Sequence, residues 1–480
     1  MDDKLIAQFS SNSTENISNK YMHQVYNFYY EKGLKVKVIK EIFEILSLIF
    51  GIVFSVYFFI LIDWKKILTC QDEKSCERIG SYITFNGINI YQFGLIFLSF
   101  LFLLYKIINI YTIISDFLQI KDYYENELNI KTDNIYNLNW NRILNRLNIK
   151  YQTLDKYEIT AKIMNNENYL ISMIDNKIIQ VPSYIITKQF ILNLKLIFYN
   201  EYEKITLKSL KRKLFFQGII NLIFLPFILT FHIIYFILVN IEDFYSNKSV
   251  LGPRRYTELA KWKFRTYNEL PHYFEERINM SVRYANEYVR HFETPILETI
   301  CKFIILISGS LFSLFLFMSI LDENILLYVK FLDRSLIFYT GIVSAISSFA
   351  RTYIREPEDS IYKAEEMMEN IVQYTYYFPN RWKGKCNKKE IRDEFLKFYQ
   401  YKISIFLNDI LSSILIPYYL IVTLPRESKE IINYIRIKTV DDENIGKVCV
   451  YSRKYEDFED NKLKNSLIRF RERHLEEIKV

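Results

Sequence analysis

Trp262-Lys263-Phe264-Arg265-Thr266-Tyr267-Asn268-Glu269-Leu270, then Arg277-Ile278-Asn279, then the apolar run Phe303–Leu321 closing on Asp322-Glu323: this stretch decides how the chain is read. Its first part belongs to a longer aromatic, basic and amphipathic segment, Gly252–Arg290, which opens Gly252-Pro253-Arg254-Arg255. That segment is too polar to lie within a bilayer, so it is expected on a surface. The run it feeds has about 19 residues, which at about 1.5 Å per residue crosses a hydrocarbon core of roughly 30 Å.

Outward toward the C-terminus, Asp322-Glu323-Asn324 is too short to be more than a turn, so Ile325–Phe349 is expected to return at once. Residues 300–351 then form a transmembrane hairpin. Residues 352–402 read as a soluble helical segment that carries Tyr374–Pro379 and Trp382-Lys383-Gly384. The last apolar run, Ile403–Leu424, contains Asn408, Asp409 and Pro417. It is expected to enter and leave the same leaflet over 403–425, with 426–480 a cytosolic end.

Outward toward the N-terminus, 241–299 is a cytosolic amphipathic segment. Before it, 214–240 is apolar but broken by Asn221, Pro226 and His232, and reads as a first re-entrant segment. Re-entry keeps the basic residues on both sides of it in one compartment, and such backbone is tolerated where protein or water surrounds it. Residues 115–213 lack a spanning run and form a cytosolic helical domain. Within it, Leu138–Leu144 reads as a capped amphipathic helix start, and Tyr157–Met164 and Glu167–Ile171 as two short helices. Residues 21–114 hold an amphipathic lead-in and two spans, Ile42–Ile62 and Ile90–Ile114, and 1–20 is a polar, disordered tail. Lys32, Lys35, Lys37 and Lys40 precede the first span and place the N-terminus in the cytosol. The intervening loop is then lumenal, where Cys70 and Cys76 either pair or stay free. The first apolar run begins near Ile42, so no cleavable signal peptide is expected.

Composition agrees with alternating apolar spans and charged segments: half of the 480 residues are hydrophobic and 24% are charged. The net charge of +7, from 62 basic and 55 acidic residues, is no nucleic-acid signature but allows attraction to anionic headgroups. Lys211, Arg212, Lys213, Lys248, Arg254 and Arg255 are the basic surface expected to meet them. Walker-type, nucleophile-elbow and zinc motifs are absent, so neither a chemical step nor a cofactor is expected.

The informative residues are polar groups at membrane depth, which usually face protein or water because exposure to hydrocarbon is costly. Thr340, Ser344, Ser347, Ser348 and Arg351 recur at three- and four-residue spacing and so share one helix face. They form a hydrophilic track or, alternatively, hydrogen-bond a neighbouring helix. Asn408 and Asp409 line the same cavity in the first reading, while Lys330, Asp333 and Arg334 either join it or sit at the lumenal interface.

The chain resembles the autophagy-related protein 9 family, over about Tyr26 to Tyr451. The resemblance is carried by Trp262–Leu270 with Arg277–Asn279, by Ser308-Gly309-Ser310, by the Trp140 and Glu167–Leu170 segments, by Leu210–Phe227, and by Tyr374–Lys402 with the run that follows. It implies an all-α integral membrane protein with four transmembrane helices and two re-entrant hairpins, assembled as a domain-swapped homotrimer with both termini cytosolic. It further implies phospholipid scrambling without energy input, on autophagy-related vesicles, Golgi or endosomes and the phagophore. Partners implied are phospholipids, the bridge-like lipid-transfer protein of autophagy and autophagy initiation factors. Ser348 and Arg351 match pore-lining positions, and Gly341 stands where some relatives carry Thr. A basic-basic-acidic cluster of relatives has no clear counterpart at Tyr245–Asn247; Lys248, Arg254 and Arg255 substitute for it, or that branch is less charged. Tail-borne partner motifs of many relatives are expected to be missing. A vesicle scaffold without scrambling, or a closed channel, would use the same spans differently.

Overall fold

The computed structural model describes residues 19–57, 61–69, 82–83, 90–198, 202, 205–246, 253–292, 295–332, 334–351, 364–453 and 461–475. Within these the chain is mostly helical: α1 (Asn19–Tyr30), α2 (Gly33–Val56), α3 (Ile90–Asp122), α4 (Trp140–Lys150), α5 (Lys156–Asp175), α6 (Lys188–Phe198), α7 (Leu207–Ile223) and α8 (Leu225–Ser246). There follow α9 (Glu258–Phe264), α10 (Pro271–Arg290), α11 (Pro295–Leu321), α12 (Leu336–Arg351), α13 (Ala364–Thr375), α14 (Lys389–Leu396), α15 (Lys402–Tyr418), α16 (Leu424–Lys438) and α17 (Asn461–Leu475). The strands form three two-stranded antiparallel pairs: β1 (Arg254–Tyr256) with β4 (Tyr399–Tyr401), β2 (Lys330–Phe331) with β3 (Arg334–Ser335), and β5 (Thr439–Asp442) with β6 (Gly446–Cys449).

Among the described residues three helices are long and apolar enough to cross a membrane, or four if one bent pair counts as a span. They are Ser99–Glu127, Glu298–Leu321 and Lys402–Lys438, and the bent pair is α7 with α8. α2 is apolar too, but Lys40, Glu41 and Glu44 lie in the first half of its run. Lys32 and Gly33, with φ of 63° and 85°, turn α1 into α2. At Gly33 a Cβ would sit 2.9 Å from Ile135, so glycine is required there for space as well as for φ.

Among the described residues the helices gather around three hydrophobic cores. One joins α5, α6 and α7 to α16 and the turn before it, through Tyr169, Phe190, Phe198, Leu210, Leu420 and Ile431. A second joins α1, the end of α3 and α4 to the N-terminal half of α5, whose C-terminal half lies in the first core, through Phe28, Tyr124, Trp140, Leu144 and Ile159. The third joins α9, α10, α13 and α14 around Phe264, Tyr288, Met368, Trp382 and Phe395.

α5 corrects a sequence expectation: Tyr157–Ile171 is one helix, not two. It starts at a capping box in which Asp155 and Glu158 each bond the other's backbone N–H. Its first half lies in one core and its second half in another, and it is buried nearly all round, which blurs the single stripe that marks an amphipathic helix. The expected boundaries at 114 and 213 fall inside α3 and α7, since both helices run from the apolar region into the soluble cores.

Two further corrections concern the apolar runs. Ile403–Leu424 does not turn back: α15, a five-residue π turn at Tyr419–Thr423 and α16 form one continuous helix. Pro417 removes one backbone donor, and the wider π turn absorbs the mismatch without a reversal. Ile325–Phe349 is not one helix either. A single turn, Glu323–Tyr328, leads to the β2–β3 hairpin, and only then does α12 begin, with 16 residues. Charged Lys330 and Arg334 sit in that hairpin, where a continuous apolar helix would have buried them in hydrocarbon.

Candidate functional site

The segment from Trp262 to Arg277 is expected on a surface, and the structure places it inside. Trp262, Phe264, Arg265, Thr266, Tyr267, Asn268, Glu269 and Leu270 are all buried. Asn268 takes a left-handed conformation, φ 56°, which Asn tolerates better than most residues. This aims its amide into a closed network. Asn168 Nδ2 donates to Asn268 Oδ1 at 2.7 Å and to the Ser452 hydroxyl at 2.8 Å. Asn268 Nδ2 donates to the Tyr157 hydroxyl at 2.7 Å, and its backbone N–H to Asn168 Oδ1 at 3.1 Å.

Ion pairs flank the turn. Arg277 donates to both oxygens of Glu269, at 2.9 and 2.7 Å, and also to the carbonyls of Phe264 and Tyr374. Its guanidinium lies 4.3 Å from the Tyr376 ring centroid. Glu167 on α5 accepts from Arg265 and from Lys195. Burial pushes the Glu167 carboxyl up, but the charges of Arg265 and Lys195 outweigh it and hold it down at about 2. The charges that suggested a surface are thus mutual partners, and the segment ties α5, α10 and α13 together.

The membrane side carries the expected polar face. On α12, Thr340, Ser347 and Ser348 are half-buried, and Ser344 and Arg351 are exposed. Thr340 donates to the Ile337 carbonyl at 2.6 Å, so its hydroxyl is satisfied within its own helix. At Gly341 a Cβ would meet nothing within 4 Å, so the position has room for the Thr of some relatives. Lys330 and Arg334 are exposed at the start of the helix and Arg351 at its end, about 25 Å apart along the axis. Charge therefore stands at both ends of the hydroxyl face.

Asn408 and Asp409 are not brought to that face. α12 packs on α11, whereas α15 packs on α7 and α8. Asn408 donates to Gln400 at 3.2 Å, and the Asp409 carbonyl accepts from Ser412 and Ser413. Those serines open a second polar network. Ser413 donates to Gln189 Oε1 at 2.6 Å and lies 3.3 Å from His232 Nδ1. Gln189 and Asn193 of α6 then bond Asn221 of α7, at 3.0 and 2.8 Å. Of these, only Asn221 and His232 stood out in the sequence. Ser412-Ser413 inside an apolar run, and Gln217 with Asn221 one turn apart, were the remaining signals.

Of the basic set, Lys211 and Arg212 are exposed in the first turns of α7. Arg212 and Lys213 line a cavity of about 240 Å³ with Leu196, Ile197, Phe216 and Gln217. Arg255 is exposed, but Arg254 is not a free surface cation. It donates to the Tyr401 hydroxyl at 2.6 Å with its guanidinium 4.1 Å from that ring, because β1 pairs with β4. Lys248, Asp333, Cys70 and Cys76 lie outside the described residues. Cys301, Cys386 and Cys449 are buried thiols not joined in disulfides. Among the described residues, no three His, Cys, Asp or Glu side chains are grouped to hold a metal ion.

Against known proteins, the model for the family described as Autophagy protein ATG9 matches residues 10–453. Autophagy-related protein 9 of Dictyostelium discoideum is 29% identical over 462 residues, which are 90% of this chain and 66% of that protein. Its Saccharomyces cerevisiae counterpart is 27% identical, over 90% of this chain and 47% of that protein. The chain thus spans less than two thirds of these relatives' length. The cryo-EM structure of Schizosaccharomyces pombe Atg9 superposes with a TM-score of 0.66 at 26% identity, covering 90% of this chain and 98% of that one.

Proposed function

The chain belongs to the autophagy protein ATG9 family, and from that premise we propose that it is an energy-independent phospholipid scramblase of autophagosome precursor membranes. It is a membrane protein that acts in autophagy. The observation that carries the finer reading is the hydroxyl face of α12, with Lys330 and Arg334 at one end and Arg351 at the other.

A headgroup that enters hydrocarbon must shed its water. Along a strip of hydroxyls it exchanges water for protein hydrogen bonds while its acyl chains stay in lipid, which lowers the barrier without nucleotide or cofactor. Charge at both ends holds the phosphate at entry and exit. The strip equilibrates leaflets and makes no covalent change, so the protein is a transporter of lipid and not an enzyme.

In this reading the chain works as a homotrimer with cytosolic termini, on autophagy-related vesicles, Golgi or endosomes and the phagophore. It takes lipid from the bridge-like transfer protein and recruits autophagy initiation factors. The basic start of α7, with Arg212 and Lys213 at the cavity, holds anionic headgroups at the membrane surface.

The test compares two sets of polar residues in proteoliposomes. S348L/R351L is expected to slow leaflet exchange of a fluorescent phospholipid at least tenfold, while N408A leaves the rate within twofold of the unmodified protein. Equal rates for all three proteins would remove α12 as the path.

A further inference from the structure

Glu44 lies midway along α2 and Lys106 midway along α3, and their side chains meet at 2.6 Å. Ile42, Phe43, Leu46, Leu104, Tyr105 and Ile107 around the pair are apolar and exposed, while the charged Lys40 and Glu41 stand one turn before Glu44. Lys106 belongs to a helix apolar and long enough to cross a membrane. Glu44 is two residues into the apolar run that opens at Ile42, so the pair stands within the apolar region toward its charged end, where ionisable side chains are uncommon and ordinarily turn inward. This one does not: the Glu44 side chain is 58% exposed and that of Lys106 28%. A pair that only fastened two helices would be expected between them, out of reach of lipid.

From Lys106 polar residues continue along α3 toward the soluble core. Asn109, Thr112 and Asp116 follow at spacings of three, three and four residues, which keeps them on one side of the helix. Thr112 donates to the Asn109 carbonyl at 2.7 Å, and Asp116 accepts from Gln24 Nε2 at 3.3 Å. Phe117, the next residue, is buried in the core around Trp140 and Ile113 packs against that core, so the helix leaves it beyond Ile113. Asp116 to Lys106 spans about 15 Å along the helix axis.

We propose that this ladder is a second lipid-facing step, and that the Glu44–Lys106 pair is a docking site for zwitterionic phospholipid headgroups. The inference rests on the scrambling reading and names the substrate class it favours. A phosphocholine or phosphoethanolamine group carries the same two charges as the pair. Lys106 takes its phosphate and Glu44 its ammonium, so one internal ion pair is exchanged for two complementary contacts and no charge is left alone. Phosphatidylglycerol offers the phosphate only, which leaves Glu44 without a counter-charge.

The experiment measures leaflet exchange of fluorescent phosphatidylcholine and phosphatidylglycerol, each in proteoliposomes of neutral bulk lipid. For the unmodified protein, phosphatidylcholine is expected to exchange several-fold faster. E44Q lowers that ratio at least threefold, because Lys106 alone welcomes the anionic headgroup. K106M raises it at least threefold, because Glu44 alone repels that headgroup. Should either single variant fail to fold, E44Q/K106Q removes both charges together and is expected to bring the ratio close to one. Variants that slow both lipids equally, with the ratio unmoved, overturn the inference in favour of a plain helix clamp and leave scrambling standing. An unmodified protein inert toward both lipids removes the scrambling reading and this inference with it.

Discussion

Glu167 shows how a charged residue can be structural in this protein. Its carboxyl is held at about 2, below its ordinary 4.5, by Arg265 and Lys195 despite burial that pushes it upward. A depressed carboxyl contributes stability that is complete above its ordinary value and is lost as pH falls toward the folded value. Thermal stability in detergent is therefore expected to fall as pH drops from about 4.5 to about 2, and E167Q to flatten that slope. At neutral pH, E167Q leaves Arg265 without its counter-charge and is expected to cost about 3 kcal/mol. An unchanged melting temperature would show that the Arg265 pair contributes nothing net. The sequence presents Arg265 and Glu269 as signs of a wet surface. Their burial rests on Glu167, which is 98 residues from Arg265, and on Arg277, and nothing local in the sequence announces the first of these. Asn408 and Asp409 are separated from the α12 face for a related reason: the helix neighbours of α15 are set by packing between distant segments.

At the scale of elements, uninterrupted hydrophobicity was the legible signal. Phe303–Leu321 lies wholly within α11, and the capped start at Asn139 opens α4. What misled was punctuation. Pro417 suggested a reversal and instead sits ahead of a π turn, while charges at Lys330 and Arg334 marked a hairpin that splits the run. Gly218 was legible only as a small residue beside Asn221, yet it sets the distance between α7 and the helix through Leu420. A Cβ there would overlap the Ile421 side chain and come within 3.3 Å of the Leu420 Cβ. G218V is expected to force the two helices apart and cost roughly 1–3 kcal/mol, read as a fall in melting temperature. A variant as stable as the parent would mean that the crossing can relax, and that the Gln189–Asn193–Asn221 network beside it does not depend on close approach.

At the scale of the whole molecule, membrane character and soluble structure are two parts of one object. α3 and α7 each carry both, apolar for part of their length and in a buried core for the rest, so the spans are fixed in register against the soluble mass. The exposed apolar sides of α11 and α12 and the polar residues between them gain meaning only in lipid. The most direct measurement uses the unmodified chain in liposomes with a fluorescent phospholipid in both leaflets. Dithionite is added outside, and a soluble entrapped dye controls for leakage. The account predicts bleaching that runs past half of the signal in sealed vesicles. A plateau at half, in vesicles shown to contain the protein, would contradict it and leave a membrane scaffold as the better account.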